Sequence, residues 1–397
     1  MTEMMNPFPG LRPFESDETH LFFGRDGQSE ELIRRLGQTR FLAVVGTSGS
    51  GKSSLVRAGL LPALHGGLMA SAGSSWRVAV LRPGHDPLGN LARALASPEV
   101  FGSDDPSEAD MQTALAEATL RRSSLGLLDA VRQARSAASG VGGRPRLGER
   151  ENLLVVVDQF EELFRFRQLM EAGGAKEDAA AFVRLLLEAS AAQGERIYVV
   201  LTMRSDFLGD CAQFQGLPEA INEGQYLIPR MTRDERREAV TGPVAIGDGR
   251  ITEPLVNQLL NDMGDNPDQL PILQHALMRT WDHWLAARRD GEPIDLPHYQ
   301  AIGGMSEALS LHAEEAYAEL SERGRAVAEK LFKALTEKGA DSRETRRPVE
   351  LGVAAELVGA DAAEVVSVVE TFRRPGRSFL MPPPPAPLNT DSLIDIS

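Results

Sequence analysis

Residues 44–54 read VVGTSGSGKSS, and Gly46, Gly51, Lys52 and Ser53 stand at the spacing G-x4-G-K-[ST]. An apolar run precedes them and a helical pattern follows. These residue types in this order suit the capture of a polyphosphate. Glycines let the backbone coil so that successive N–H groups turn inward on phosphate oxygens, and the start of a helix adds partial positive charge. Lys52 brings a mobile full charge for the outer phosphates. The Ser53 hydroxyl can ligate Mg2+. Ser48, Gly49, Ser50 and Ser54 complete the candidate loop contacts. The plain alternative is a Gly/Ser-rich strand-to-helix turn.

Such a loop needs an acid at the end of a neighbouring apolar strand, and LLVVVDQFEELF, 153–164, supplies one. Asp158 sits where the strand leaves the core and can hold Mg2+ through water. One of the next acids, Glu161 or Glu162, can orient or deprotonate the attacking water, with Glu161 favoured; the alternative is a solvated helix start. In TMRSDF, 202–207, Arg204 would point at the terminal phosphate from a strand end, steadied by Asp206. Pro271, in NPDQLPILQHAL, either initiates a helix or packs flat on adenine. Cys211 reads as an inert buried thiol. His275 reads as a structural helix residue, and no histidine shows metal-ligand spacing.

Strands alternating with helices would hold these groups in place. Strands are expected at 40–46, 76–84, 152–160, 196–207 and, shorter, at 225–231. A helix at 26–36 stopped by Gly37, one after Lys52, one at 87–95 and a helical insertion at 107–138 with a Gly-rich loop at 139–152 lie around and between them. The fold class is therefore α/β, a P-loop parallel five-stranded sheet with helices on both faces. Past Met231 the pattern turns helical. Thr232 and Glu235 form a capping box, helices follow near 253–263, 270–288 and 306–336, and Asp361 and Glu364 cap a last helix. RSFLM and SLIDIS then read as hairpin strands. The lead-in NPFPGLRPFESDETHLFFGR should be ordered, because Phe8, Leu11, Phe14, Phe22 and Phe23 need burial.

At 397 residues the chain exceeds one ordinary core. Its formal net charge of −15 opposes non-specific contact with nucleic acid or anionic membrane. A single cysteine forbids an internal disulfide and fits a cytoplasmic location. No apolar run is long enough to span a bilayer.

The segments NPFPGLRPFESDETHLFFGRD, VVGTSGSGKSSLVRAGLLPAL, LLVVVDQFEELF, VVLTMRSDFLGD and NPDQLPILQHALMRTW together resemble the STAND class of P-loop NTPases, related to the AAA+ fold, and more narrowly its bacterial novel STAND branch. The resemblance implies an ATP/ADP- and Mg2+-dependent switch. It implies a lead-in at 1–40, a nucleotide-binding domain at 41–230, a helical lid at 231–310 and a partial winged-helix domain at 311–397. It further implies that Phe23, Gly24 and Arg25 lie by the adenine and that Pro271 closes the pocket from the lid. Relatives read GLP where this chain reads QLP at 269–271. They continue past this point into a histidine-containing segment and a repeat-array sensor, so the chain is expected to be truncated at Ser397, with sensor and effector on missing or separate parts. A homo-oligomer in the ATP state is expected, with no membrane partner. A DNA-associated ATPase is the alternative. Asp361, Glu364 and Glu370 on the would-be recognition helix oppose it, although Arg373, Arg374 and Arg377 make a small basic cluster. A metabolic kinase or transporter ATPase lacks an identifiable acceptor site or an LSGGQ-like signature. A degenerate scaffold would not need the intact Lys52, Ser53, Asp158 and Glu161.

Overall fold

The computed structural model describes residues 4–103, 105–136, 147–169, 174–264, 269–289, 291–338, 344–390 and 392–396. They form two compact units. One comprises Glu15–Thr19 and Arg25–Arg230; the other comprises Met1–Phe14, His20–Gly24 and Met231–Ser397.

The first unit is built on a five-stranded sheet. Its strands are β1 Phe41–Gly46, β2 Trp76–Leu81, β3 Asn152–Val157, β4 Ile197–Arg204 and β5 Gln225–Leu227. They pair in the order β2-β3-β4-β1-β5, and every pairing is parallel. FLAVVG and NLLVVV are buried at every position, as strands covered on both faces must be. The expected strands are three or four residues too long at every carboxyl end but that of β1, where the chain leaves the sheet to form loops.

Three helix expectations need correction. The first helix is Gln28–Thr39 and runs through Gly37. A glycine inside a helix costs only about 1 kcal/mol. The stop lies at Arg40, left-handed at φ 56°, whose guanidinium donates to the Ala192 and Glu195 carbonyls at 2.6 and 3.0 Å. The insertion holds two helices, Pro106–Arg121 and Gly126–Ser136. Gly126 packs so closely on the preceding backbone that a Cβ there would lie 2.5 Å from the Thr119 carbonyl oxygen. Of the expected Gly-rich loop, residues 139–146 lie outside the described residues. The segment 306–336 is also two helices, Gly304–Ala318 and Glu322–Ala334, the second capped by the Ser321 hydroxyl on the Gly324 amide at 3.1 Å.

Among the described residues of the second unit are two hydrophobic cores. Phe8 of the lead-in, Val240, Leu255, Leu259, Trp281 and Trp284 belong to the first. Val327, Leu331, Val365, Val369, Phe372 and Phe379 belong to the second. The capping boxes at Thr232/Glu235 and Asp361/Glu364 both form. Leu380–Met381 and Leu393–Ile396 pair antiparallel, with Val349–Glu350 as a third strand. A further hairpin joins Thr336–Lys338 to Glu344–Arg346. In the lead-in, Phe8 and Phe14 are buried, whereas Leu11, Phe22 and Phe23 are half-buried. The basic cluster is paired off within the unit: Arg373 binds Glu370, and Arg374 and Arg377 both bind Glu319.

His275 is buried, and its Nε2 lies 3.0 Å from Nδ1 of His312, beside the Phe379 ring. Burial, with the nearby Arg279 charge, pushes both imidazoles below their ordinary value. A base depressed in the folded state is protonated first in the unfolded chain. Its stabilising effect is therefore complete above about pH 6.5 and declines as the pH falls below it. Urea midpoints measured from pH 7.5 to pH 5 should fall, and His312→Gln should flatten that fall. An unchanged slope in the variant would contradict a buried neutral pair.

Candidate functional site

In this strand order β1 and β3 flank β4, so their carboxyl ends and the loops leaving them meet at one edge of the sheet. Register confirms it: Gly46 stands opposite Arg204, and Val157 opposite Leu201. Crevices at such ends are where open α/β sheets bind ligands.

The loop 46–51 closes on itself. Ser50 returns its hydroxyl to the Thr47 carbonyl at 2.9 Å. Gly46 leaves room for this turn, since a Cβ there would lie 2.7 Å from the Ser50 hydroxyl oxygen. Gly51 is left-handed at φ 85° and delivers the chain into the helix that begins at Lys52. The Lys52 ammonium donates to the carbonyls of Thr47 at 2.7 Å and Gly46 at 3.2 Å. Burial lowers its pKa; Glu161, Asp158 and Asp206 oppose that fall, and Arg204 adds to it. Ser48 is exposed, and Gly49 and Ser54 are half-buried. Arg25 is buried beneath the loop. Its guanidinium donates to the carbonyls of Ser50 at 2.7 Å and Pro229 at 2.9 Å. Arg25 therefore braces the loop's backbone.

Asp158 is 1% exposed. Its Oδ1 accepts the Ser53 hydroxyl at 2.7 Å and the Thr202 hydroxyl at 2.6 Å. Its Oδ2 faces Arg57 at 3.5 Å. Burial alone would raise this carboxyl, but the guanidinium charges of Arg82 and Arg57 and the two hydroxyls outweigh it, and the pKa lies below the ordinary value.

Gln159 follows in the left-handed region at φ 56°, its N–H held by the Thr202 hydroxyl at 3.0 Å. That turn sends the two following glutamates apart. Glu161 accepts from the Arg204 amide at 3.3 Å, while Glu162 accepts from the Gly84 amide at 3.0 Å. The Gln159 carboxamide fits its surroundings with nitrogen on Glu162 at 3.0 Å and oxygen on Arg82 at 3.1 Å. Glu162 thus fastens the turn after β2. Burial raises the Glu161 pKa despite its own backbone amide and the charge of Lys52. Arg204 forms a two-point pair with Asp206, at 3.1 and 2.6 Å, and lies over the Phe207 ring.

Lys52, Ser53, Asp158, Glu161 and Arg204 are thus gathered at one place. Phe23, Gly24 and Pro271 belong to the other unit. There Phe23 packs on Gly242, where a Cβ would meet its ring at 2.5 Å, and Gly24 lies against the Glu235 carbonyl. Pro271 stands in the first turn of the helix Leu270–Ala287; the residues 265–268 before it lie outside the described residues. Cys211 is buried, and burial pushes its thiol up to about 12, as an inert thiol requires. Thr202, Arg57, Arg82 and Gln159 also bear on the carboxylates. Thr202 had a signal, a hydroxyl inside the otherwise apolar run VVLTM. Among the described residues no cluster of three metal-type ligands occurs, and no helix is long and apolar enough to cross a membrane.

The profile of a family described as Novel STAND NTPase 1 matches residues 7–381. No curated protein matches the chain. Among solved structures, the Aeropyrum pernix ORC2 protein in its ADPNP-ADP complexes is similar at a TM-score of 0.51 and 15% identity, over 87% of this chain and 79% of that one. The ORC1 protein of the same organism, in complex with DNA, follows at 0.47 and 15%, over 88% and 82%. A Walker-type ATPase of Pyrococcus abyssi stands at 0.43 and 13%, over 97% and 96%. The likeness to ORC2 is one of fold.

Thr202→Val removes a hydroxyl from a buried carboxylate and from the Gln159 amide. It should destabilise the protein by about 1.5–3 kcal/mol, read from denaturant unfolding. A loss near zero would contradict the assigned network.

Proposed function

The chain belongs to the Novel STAND NTPase 1 family, and on that premise we propose that this P-loop NTPase of the STAND/AAA+ type is an ATP-operated switch that hydrolyses slowly. The observation that carries the reading is the meeting of Lys52, the Ser53–Asp158 pair and Glu161 at one sheet edge. Backbone amides of 46–51 and the Lys52 ammonium take the β- and γ-phosphates. Ser48, Gly49, Ser50 and Ser54 line the loop. Arg25 serves the site by bracing the loop.

Ser53 and Asp158 fit Mg2+: both present hard oxygens, 2.7 Å apart, and the carboxyl is held ionised. When bound there, the ion supplies positive charge to the phosphate oxygens. Glu161, raised by burial, is suited to accept a proton from the attacking water. Glu162 is committed to the Gly84 amide and acts in positioning. Arg204, held by Asp206, contacts the terminal phosphate and so separates ATP from ADP. A ligand shifts a conformational equilibrium only through its differential affinity; reversing a 99:1 ratio takes about 5.5 kcal/mol.

The responding parts are a helical lid at 231–310 and a winged-helix domain at 311–397, attached to the nucleotide-binding domain at 41–230 and the lead-in at 1–40. The two hydrophobic cores of the second unit support that division. ATP-bound chains associate as homo-oligomers in the cytoplasm. The ion pairing of Arg373, Arg374 and Arg377 weighs against a DNA-binding role.

Glu161→Gln should lower ATP turnover at least 100-fold on the scale of a lost general base, about 10²–10⁴, and Glu162→Gln should retain it within about tenfold. Wild-type turnover should stay below about 10 per second, and light scattering should show larger particles with ATP than with ADP. Equal loss in both variants, or particle size blind to the nucleotide, would overturn the reading.

A further inference from the structure

The helix that follows the phosphate loop is wound wide over Leu55–Leu60, with Pro62 just beyond. Proline has no N–H to donate and crowds the carbonyl four residues earlier, and wide turns of this kind recur at functional sites. Arg57 is the one charged residue in LVRAGL. Its guanidinium is shared between two carboxylates: Glu15 Oε1 at 2.6 Å and Asp158 Oδ2 at 3.5 Å. The two differ sharply in setting. Asp158 is 2% exposed in its side chain, whereas Glu15 is 45% exposed.

Glu15 lies in the Pro-rich lead-in, where its N–H is held by Glu18 at 2.9 Å at the start of the short helix Ser16–Leu21. The five residues Glu15–Thr19 pack with the phosphate-loop unit, while the residues on both sides of them pack with the other unit. An ion pair to Arg57 ties this five-residue stretch to the helix after the loop.

We propose that Arg57 is a built-in cation competing with the divalent ion for Asp158, and that Glu15 in the lead-in sets how strongly it competes. This inference rests on the nucleotide reading above. While Glu15 holds the guanidinium, the Arg57–Asp158 contact stays at 3.5 Å and leaves more of the Oδ2 charge to attract a divalent ion. When the lead-in releases it, Arg57 closes on Oδ2 and its full positive charge opposes a second cation there, as Coulomb's law requires at short range in a poorly solvated site. The lead-in then governs metal-dependent nucleotide affinity without touching nucleotide. Arg57 and Glu15 are positioning residues in this scheme.

The test is the half-saturating MgCl2 concentration for binding of N-methylanthraniloyl-ADP to the full chain, read by fluorescence anisotropy. Glu15→Gln should raise it roughly fivefold, and Arg57→Gln should lower it by a similar factor. The double variant should match Arg57→Gln alone, because Glu15 acts only through Arg57. Binding in EDTA should be unchanged in every variant. Two single variants shifting in the same direction would indicate a merely structural role and overturn the proposal, as would no shift or additive shifts. Should Arg57→Gln fail to fold, the exposed Glu15→Gln decides alone. A wild-type chain whose ADP binding ignores Mg2+ would overturn the Ser53–Asp158 assignment and this inference together. Normal wild-type Mg2+ dependence with silent variants would overturn this inference only.

Discussion

A carboxylate kept ionised out of water is the constraint on which the rest of this structure depends. Asp158 is almost fully enclosed at the end of β3, and its charge survives there because two hydroxyls and two guanidiniums surround it. The partners come from three pieces of chain: Ser53 and Arg57 from the helix after the loop, Thr202 from β4, and Arg82 from just beyond β2. Satisfying one buried charge therefore fixes the mutual placement of the elements that form the site. Removing a partner would leave that charge exposed to the full cost of desolvation.

Two acids three residues apart are pushed in opposite directions. Asp158 lies below its ordinary value because cations face it, and Glu161 lies above its own because burial dominates. Environments that separate the affinities of neighbouring carboxyls are how one site assigns one acid to hold charge and another to move a proton. The left-handed Gln159 makes the separation possible, since it turns Glu161 toward β4 and Glu162 toward the turn after β2.

Much of this was legible before any coordinates. The five strands, the loop and its acid are written in local patterns: apolar runs of strand length, glycines at fixed spacing, an aspartate where hydrophobicity ends. Other features were hidden because they depend on tertiary neighbours. Nothing local in EE tells which glutamate meets an amide of β2's turn and which one meets Arg204. Arg25 in FFGR could be given an adenine-side place only by family resemblance, and its bonds to the Ser50 and Pro229 carbonyls arise from chain segments far apart in sequence. The helix through Gly37 was mis-ended because a glycine reads as a stop, whereas the real stop is set by carbonyls that Arg40 finds near 192–195. Arg57 had no signal at all: an arginine in an apolar helix reads as a solvated position until its two carboxylates are seen.

The central claim is that the curled loop and its lysine hold a polyphosphate. Isothermal titration of ATP with MgCl2 into the wild-type chain and into Lys52→Ala tests it most directly. The account predicts saturable binding by the wild type and a loss of about 10- to 100-fold or more in the variant, the scale of one or two charge-assisted hydrogen bonds. Equal affinity in both would contradict it.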